Sequence, residues 1–353
     1  MASYLFLYSA TSFTIAILFF PVLIKLLTQW KLFDSSGHHK IHQGFTPSMG
    51  GIPIVIGVVF SVLIAFSLAD WISMKFFFIS LALMFITGLR DDVLTLTPRD
   101  KLLSQLLPVI ILVVFGDVVL DSFYGFSPEF EFPKSLAWGV SIFSIIIFTN
   151  AYNLIDGLDG LAGSIGVIAL LCFGCWFYTT DNYPLSLISL VFAGSILGFL
   201  FFNWQPSKVF MGDTGALTIG FLLSFLAIQF VNQNYSLSPN HVARFQASIG
   251  TVICVLIIPV FDTIRVIVLR LRKFESPFHA DRNHLHHQFI NLGFSHAQAV
   301  LMIGGINIFF VFLAWILREK SDLLILPLAI GICLIINQVL KVAQQRHVNG
   351  RKS

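Results

Sequence analysis

Apolar segments long enough to cross a membrane recur along the whole of this 353-residue chain. A transmembrane helix needs about 20 predominantly apolar residues, and eleven segments meet that requirement. They lie at residues 3–27, 48–69, 72–89, 103–120, 135–152, 161–179, 184–203, 214–232, 247–269, 297–317 and 322–341. Because the connections leave little room for a soluble domain, we expect an all-α integral membrane protein, with about eleven transmembrane helices in a single domain over residues 1–353.

The composition excludes several other classes of protein. Hydrophobic residues make up 56% of the chain and charged residues 11%, whereas a soluble domain has about 25% charged residues. The net charge of +3 is small and scattered, and no basic run suggests nucleic-acid binding. All four Cys lie inside apolar runs, so neither a secreted disulfide framework nor a redox site is expected.

The distribution of Lys and Arg predicts the orientation of the chain, because basic residues beside the spans favour the cytoplasmic side. With eleven spans and the N-terminus outside, 16 of the 21 Lys and Arg residues lie on the cytoplasmic side. The same topology places nine of the ten His residues there. We therefore expect the C-terminus in the cytoplasm and the polar loops at the cytoplasmic face of the inner membrane.

Two adjacent aspartates, Asp91 and Asp92, follow the third predicted span. Adjacent carboxylates repel each other and are costly to bury unless a cation lies beside them. Mg²⁺ usually binds through one or two carboxylates together with substrate phosphates. The pair therefore indicates a divalent metal, and the alternative is a solvated loop in which Arg90 and Arg99 pair with the two carboxylates.

The segment NLIDGLDGLAGS places Asn153, Asp156 and Asp159 three residues apart. In a helical turn these side chains would lie near one face, and the intervening glycines would let the backbone approach a ligand closely. An EF-hand is excluded because Val167 stands where a bidentate Glu is required. The spacing favours a functional site, and the structural alternative is that Asp156 and Asp159 cap the sixth span.

Asp213 lies in FMGDTG at the start of the eighth predicted span. The N–H groups of a helix N-terminus favour anions, which makes this segment a candidate phosphate site. An N-cap role alone would also explain Asp213. Phe210, three residues earlier, could stack on a nucleobase or simply pack.

Six His, Asp and Arg side chains are concentrated in FHADRNHLHHQF, residues 278–289. They are His279, Asp281, Arg282, His284, His286 and His287. Neutral His can hydrogen-bond to phosphate oxygens, and protonated His or Arg can neutralise them. This density favours phosphate binding. The alternatives are an inert loop and a zinc site, although the segment has neither the Cys nor the spacing of a zinc finger.

Asp262 and Arg265 lie three residues apart near the inner end of the ninth predicted span. A local ion pair is the simplest explanation for both residues. We therefore leave them out of the candidate site.

Six segments, in the same order, resemble the polyprenyl-phosphate N-acetylhexosamine 1-phosphate transferases of glycosyltransferase family 4. They are TPSMGGI, GLRDD, TPRDKLLSQ, NLIDGLDGLAG, FMGDTG and HADRNHLHH. The last is similar to the undecaprenyl-phosphate GlcNAc-1-phosphate transferase branch, which starts O-antigen, enterobacterial common antigen and teichoic acid linkage units. The segment HKIHQGFTP departs from the family pattern, which leaves Lys40 and His42 without an assigned role.

The resemblance implies roles for individual residues. It implies that Asp213 and Asp92 hold Mg²⁺, or Mn²⁺ in its place, and that Asn203 and Phe210 bind the uridine. The residues that it implies in catalysis are Asp91, Asp92, Asp156, Asp159, His286 and His287. Those that it implies in substrate binding are Lys101, Asn153, Asn203, Phe210, Arg282 and His284.

The implied reaction is phosphoryl transfer, in which undecaprenyl phosphate attacks the β-phosphorus of a UDP-N-acetylhexosamine and UMP leaves. Asp91 would take any proton from the lipid phosphate, and a two-step route through an aspartyl-phosphate sugar stays open. UDP-GlcNAc is the leading donor, with UDP-GalNAc or a deoxy-amino sugar nucleotide as alternatives, and a homodimer is left open. A transporter or flippase would need mid-span charges and internal repeats, and the sequence shows neither.

Overall fold

The computed structural model describes residues 1–30, 46–126, 130–274 and 284–350, with side chains described as far as residue 346. It is 80% helix, and the described residues form no β-strand. The helices are α1 (Ala2–Trp30), α2 (Gly51–Ala65), α3 (Leu68–Ser73), α4 (Lys75–Leu94), α5 (Pro98–Ile110), α6 (Lys134–Leu154), α7 (Leu161–Thr179), α8 (Tyr183–Asn203), α9 (Gly212–Ser236), α10 (Ser248–Val255), α11 (Ile257–Arg272), α12 (Leu285–Asn291), α13 (His296–Ile316) and α14 (Asp322–Gly350). A π-helix at Ile111–Phe115 continues α5.

Seven of the described helices are long and apolar enough to cross a membrane. The number rises to eight if α10 and α11, which meet at a bend of 84°, form one span. The other three predicted spans are also helical, in α2, in α4 and in α5 with its π-helical continuation. The predicted all-α, multi-pass membrane protein is confirmed, whereas the number of eleven spans and the orientation stay predictions.

The chain divides into two compact units. The first consists of Met1–Asp121 and Phe132–Gln229, and the second of Ser122–Glu131 and Phe230–Ser353. The assignment of residues 1–353 to a single transferase domain stays a prediction.

Small residues bring α1, α2 and α8 into close contact in the first unit. The hydroxyl of Ser9 in α1 donates a hydrogen bond to the carbonyl oxygen of Leu190 in α8. Ser195 in α8 donates in the same way to the carbonyl oxygen of Ile54 in α2. Helices in a membrane associate through such small side chains and interhelical hydrogen bonds, because lipid provides no hydrophobic driving force between them.

Helix α9 is the most buried of the candidate spans, with 94% of its apolar window inside the protein. Two glycines let neighbouring helices approach the backbone at its start. A Cβ atom on Gly51 of α2 would overlap Gly215, and one on Gly88 of α4 would overlap the backbone of Asp213 and Thr214. The N-terminus of α9 is therefore held directly against α2 and α4.

Local signals fix the turn between α4 and α5. Thr95 follows α4 with a left-handed backbone conformation, φ 46°. The hydroxyl of Thr97 then accepts a hydrogen bond from the N–H of Asp100, and Pro98 occupies the first turn of α5. A proline there leaves no N–H group unsatisfied. The turn places the end of α4 beside the start of α5.

Buried polar side chains connect loops to helix ends in the second unit. Nδ2 of Asn234 donates hydrogen bonds of 2.7 Å to the carbonyl oxygen of Phe245 and to the hydroxyl of Ser248. Oδ1 of Asp322 accepts the N–H of Gly250 in the first turn of α10 at 2.6 Å. These bonds satisfy backbone groups that would otherwise be costly to bury.

Candidate active site

The ammonium group of Lys101 lies among three of the predicted site residues. Its Nζ atom is 2.9 Å from Oδ2 of Asp91 and 3.3 Å from Oδ1 of Asn153. It also pairs with Oδ1 of Asp213, which accepts a second hydrogen bond, of 2.6 Å, from Nδ2 of Asn153. These four residues come from α5, α4, α6 and α9, so the first unit gathers the ends of four helices at one place.

Burial and charge act in opposite directions on Lys101. Burial alone would lower its pKa, but the carboxylates of Asp213 and Asp91 raise the pKa above its ordinary value. The side chain is therefore a cation at neutral pH. Asp91 is only 5% exposed, and its Oδ1 accepts the backbone N–H of Leu96 at 2.7 Å. This contact fixes the carboxylate opposite the ammonium group.

Asp92 holds the N-terminus of α9. Its Oδ1 accepts the backbone N–H of Asp213 at 2.8 Å and the hydroxyl of Ser48 at 3.3 Å. Its Oδ2 accepts the backbone N–H of Thr214 at 2.9 Å and the hydroxyl of the same residue. The capping role considered for Asp213 thus belongs to Asp92 of α4. Two N–H groups that were candidates for binding a phosphate are occupied by its carboxylate.

The environment of Asp92 raises the pKa of its carboxyl. Burial, with a smaller contribution from the neighbouring charge of Asp213, raises its pKa from 3.8 to about 6 against the opposing effect of the hydrogen bonds from Thr214. Asp92 lies beyond residues 72–89, the predicted span of α4. Any additional cation at this place would favour the ionised carboxylate.

Three carboxylates and one ammonium group share this region, which leaves an excess of negative charge for a cation. Within the described parts of the chain, no group of three or more His, Cys, Asp or Glu residues could hold a metal by itself. Mg²⁺ does not require such a cage, since substrate phosphates usually complete its coordination. Asp213 fits this chemistry best, because its side chain is 28% exposed. Both oxygens of Asp92 already accept two hydrogen bonds each.

Asp156 and Asp159 lie in the turn between α6 and α7, and both are half-buried. Helix α6 ends at Leu154, so the two aspartates do not continue the helical face that carries Asn153. The N-cap residue of α7 is Gly160, with φ 84° and no side-chain cap. Neither aspartate therefore occupies the N-cap position proposed as the structural alternative.

Asn203 is buried, at 3% exposure, and its amide joins two loops. Its Oδ1 accepts the N–H of Gly160 at 2.8 Å, and its Nδ2 donates to the carbonyl oxygen of Val209 at 2.9 Å. The backbone N–H of Phe210 donates to the carbonyl oxygen of Pro47, and its carbonyl oxygen accepts the N–H of Gly50. The side chain of Phe210 is half-buried. The structure thus shows Asn203 supporting the segment that ends in Phe210, and the uridine roles of both stay predictions.

The His motif lies in the second unit. His284 precedes α12, and its ring is parallel to that of His286, with the centroids 5.7 Å apart. The ring of His287 lies 4.3 Å from that of His286. Burial, with a smaller contribution from the charge of His287, lowers the pKa of His286 from 6.5 to about 3. His286 is therefore neutral at pH 7.

Several predicted residues lie outside the described ranges. They are Lys40, His42, His279, Asp281 and Arg282. The predicted ion pair between Asp262 and Arg265 is confirmed, at 2.9 Å. The same aspartate also contacts His284, at 2.8 Å. Leaving Asp262 out of the candidate site therefore missed its contact with the His motif. A charged residue inside a predicted span is a signal of function that could have indicated this contact.

Ser48 and Gly212 are further supporting residues that the sequence did not single out. The hydroxyl of Ser48 reaches Asp92. Gly212 has φ 70°, and a Cβ atom there would lie 2.6 Å from Oγ of Ser48 and 2.7 Å from Oδ2 of Asp92. Both residues belong to quoted motifs, TPSMGGI and FMGDTG, but only the fold shows that these segments meet.

Known proteins are similar to this chain over most of its length. The model of glycosyl transferase family 4 matches residues 74–231, which include Lys101 and the carboxylates of Asp91, Asp92 and Asp213. A probable undecaprenyl-phosphate N-acetylglucosaminyl 1-phosphate transferase of Bacillus subtilis is 32% identical over 303 residues, covering 85% of this chain and 81% of that protein.

Two further relatives have related names. A decaprenyl-phosphate N-acetylglucosaminephosphotransferase of Mycolicibacterium smegmatis is 31% identical, covering 74% of this chain and 70% of that protein. An undecaprenyl-phosphate alpha-N-acetylglucosaminyl 1-phosphate transferase of Yersinia pestis is 28% identical, with 82% and 78% covered. The resemblance predicted from the six motifs is confirmed, and the chain belongs to glycosyl transferase family 4.

Proposed function

We propose that this protein transfers N-acetylglucosamine 1-phosphate from UDP-N-acetylglucosamine to undecaprenyl phosphate and releases UMP. The observation that carries the proposal is the position of the Lys101 ammonium group. It lies between Asp91 at the end of α4 and Asp213 at the start of α9. Relatives named for the same transfer to a polyprenyl phosphate support it. The reaction would be the first membrane step of a cell-envelope polysaccharide pathway.

In this reaction an oxygen of the lipid phosphate attacks the β-phosphorus of the donor. A new P–O bond forms while the bond from the β-phosphorus to the bridging oxygen breaks, and UMP leaves with that electron pair. Such transfers need mainly positioning and neutralisation of charge. Lys101, kept protonated by its two carboxylate neighbours, would offset the negative charge of the donor phosphates. A direct contact with a phosphate oxygen would replace one of its three present acceptors, on Asp91, Asp213 and Asn153.

Asp213 is the residue that we propose as the first Mg²⁺ ligand, with Mn²⁺ as an alternative metal. When bound with the donor phosphates, the metal supplies positive charge against their oxygens. Asp92, the other predicted ligand, holds the backbone of Asp213 and Thr214 in place. We propose that it supports the metal site mainly from that position.

Asp91 is proposed to take a proton from the lipid phosphate when that phosphate carries one. We favour direct transfer over an aspartyl-phosphate intermediate. The carboxylate of Asp92 is engaged in four hydrogen bonds, and that of Asp91 is fixed by Leu96 and Lys101. A nucleophile in a displacement must instead be able to approach the phosphorus in line.

The remaining roles rest on the family resemblance. We propose that Phe210 stacks on the uracil ring and that Asn153, Asp156 and Asp159 act around the uridine and diphosphate. The proposed phosphate-binding residues of the His motif are Arg282, His284, His286 and His287.

We also propose eleven spans, with the N-terminus outside and the site at the cytoplasmic face of the inner membrane. This placement meets the needs of both substrates. The polyprenyl tail stays in hydrocarbon, while its phosphate meets a soluble nucleotide at the interface.

The activity is tested with purified protein in detergent, given Mg²⁺, undecaprenyl phosphate and either UDP-GlcNAc or UDP-GalNAc. We expect UMP release that requires both lipid and metal, that is faster with UDP-GlcNAc, and that falls at least about 100-fold in Asp213→Asn. The control is Asp181→Asn, which changes an exposed aspartate distant in sequence from the motifs. Absence of UMP with every donor, from folded wild-type protein, would contradict the proposed function.

The orientation is tested by labelling intact cells with a membrane-impermeant thiol reagent. In a background without the four native cysteines, Val242→Cys should react and Lys208→Cys should react only after lysis. Both positions are exposed, and the proposed topology places them on opposite sides. The reverse pattern would show that this part of the chain has the opposite orientation.

A further inference from the structure

A buried aspartate on α11 makes contacts with both the side chain and the backbone at the start of α12. Oδ2 of Asp262 lies 2.8 Å from Nδ1 of His284, and its Oδ1 accepts the N–H of Leu285 at 2.7 Å. Asp262 is 1% exposed, and His284 is 6% exposed. The first residue of α12 and the histidine before it are thus attached to the same carboxylate.

The charge of this carboxylate is balanced inside the second unit. Arg265, one turn further along α11, lies 2.9 Å from Oδ1 of Asp262, and its other terminal nitrogen is 3.4 Å from Oδ1 of Asn337 in α14. A buried carboxylate is costly unless it is paired and hydrogen-bonded. Arg265 satisfies the first condition, so the carboxylate need not be protonated to stay buried.

An ionised carboxylate can only accept hydrogen bonds. The contact of 2.8 Å therefore requires the proton of His284 to lie on Nδ1. The second ring nitrogen, Nε2, is then the one that can bond to a ligand, as an acceptor in the neutral ring and as a donor in the protonated ring.

We infer that Asp262 is a positioning residue, which keeps a proton on Nδ1 and fixes the orientation of His284, so that Nε2 is the nitrogen that meets a substrate phosphate. There Nε2 accepts the proton of a phosphate P–OH group, and the protonated ring then donates a hydrogen bond to the resulting phosphate oxygen. This inference rests on the proposed function, in which His284 binds the phosphates of the donor or of the lipid. It gives a role in the reaction to an ion pair that otherwise looks purely structural.

The orientation of His284 also affects the other two histidines of the motif, because the rings of His284 and His287 both contact that of His286. His284 and His286 are parallel to within 5°, and His286 contacts His287. A rotation of His284 would therefore disturb the packing of its neighbours. Histidines that bind metals or substrates are commonly oriented by such a second hydrogen bond, and loss of the partner typically costs about 10- to 100-fold in function.

The tautomer is measured first in the wild-type protein, by nitrogen NMR of full-length chain labelled at the histidine ring and held in lipid nanodiscs. Comparison with His284→Gln assigns the signal of His284. We expect Nδ1 to carry the proton at neutral and higher pH. A His284 protonated only on Nε2 would overturn the inference, and this measurement requires neither catalytic activity nor a variant of Asp262.

The second measurement uses Asp262→Asn, which keeps the size of the side chain. The amide can keep an oxygen toward Leu285 while its NH₂ group faces Nδ1 of His284, so the ring proton should move to Nε2. We expect kcat for UMP release to fall about 10- to 100-fold. The double variant Asp262→Asn with His284→Gln should be no slower than His284→Gln alone, because Asp262 acts through His284.

The matched control is Asp322→Asn. Asp322 is also buried and also accepts a backbone N–H in the first turn of a helix, that of Gly250 in α10. We expect this variant to keep kcat within about twofold and to leave the His284 signal unchanged. Losses that multiply in the double variant, or an unchanged tautomer in Asp262→Asn, would contradict the inference. An inactive wild type with the expected tautomer would instead contradict only the proposed function.

Discussion

The Nζ atom of Lys101 lies 2.9 Å from Oδ2 of Asp91, which joins the start of α5 to the end of α4 by a partly buried ion pair. The same ammonium group pairs with Asp213 at the start of α9. A single cation therefore holds together carboxylates whose mutual repulsion would otherwise separate the three helix ends.

Replacing Lys101 by Met should both destabilise and inactivate the protein. The carboxylate of Asp91, at 5% exposure, would lose its cation. Breaking a buried ion pair by removing one partner costs about 3 kcal/mol or more. We expect a lower thermal unfolding midpoint and UMP release reduced at least about 100-fold. Arg99→Met, which removes an exposed cation from the same helix, should change neither quantity much.

Replacing Gly212 by Ala should disturb the start of α9. The glycine has φ 70°, and a Cβ atom there would lie within 2.8 Å of both carboxylate oxygens of Asp92. A left-handed conformation alone costs a residue with a side chain about 1–2 kcal/mol. We expect a lower unfolding midpoint and slower UMP release. Gly139→Ala is the matched control, because nothing lies within 4 Å of the added methyl group. An equal effect of the two substitutions would show that the contacts around Gly212 are unimportant.

Replacing Asn203 by Asp distinguishes support of the loops from binding of uridine. The change replaces the NH₂ group that donates to Val209 by an oxygen facing a carbonyl oxygen. A buried hydrogen bond lost in this way costs about 1–3 kcal/mol. We expect a lower unfolding midpoint than in the exposed control Asn240→Asp. A raised KM for the UDP-sugar with unchanged thermal stability would instead support direct contact with uridine.

The buried neutral His286 should make stability depend on pH. Burial and the charge of His287 lower its pKa from 6.5 to about 3, so the unfolded chain binds a proton more readily than the folded protein. Stability is therefore present above pH 6.5 and is lost as the pH falls toward 3. Between pH 8 and pH 5 this group accounts for about 2 kcal/mol.

The test of this pH dependence is thermal unfolding of wild-type and His286→Gln protein at several pH values. The unfolding midpoint of the wild type should fall more steeply toward pH 5 than that of the variant. His241→Gln, which changes an exposed His, should follow the wild-type curve. Parallel curves for the wild type and His286→Gln would contradict the assignment of a neutral, buried ring.

The membrane class and the motif segments were predictable because both are local properties of the chain. Hydropathy over about 20 residues identifies a span whatever surrounds it. Each predicted span is helical along much of its length in the described residues, including the short α2 and the bent pair α10 and α11. The bend itself was not predicted, although Pro259 lies in the first turn of α11 and a proline inside an apolar run commonly marks a break or kink in a helix.

The chemistry of the site was only partly predictable. The sequence indicated both Asp92 and Asp213 as site residues. Of these two, only Asp213 was a candidate for an N-cap role. In the fold, Asp92 caps the helix that begins 120 residues later, and Asp213 turns to Lys101 and Asn153. A hydrogen bond over this separation depends on how α4 packs against α9, which no local pattern contains.

The sequence by itself determined that this chain forms apolar helices in a membrane and carries its polar residues in a few segments at helix ends. Only the tertiary structure decided the pairing of those residues. It placed Lys101 between two carboxylates and attached Asp262 to His284. The physical reason is that hydropathy adds up along consecutive residues, whereas ion pairs and hydrogen bonds depend on distances of about 3 Å between residues far apart in the chain.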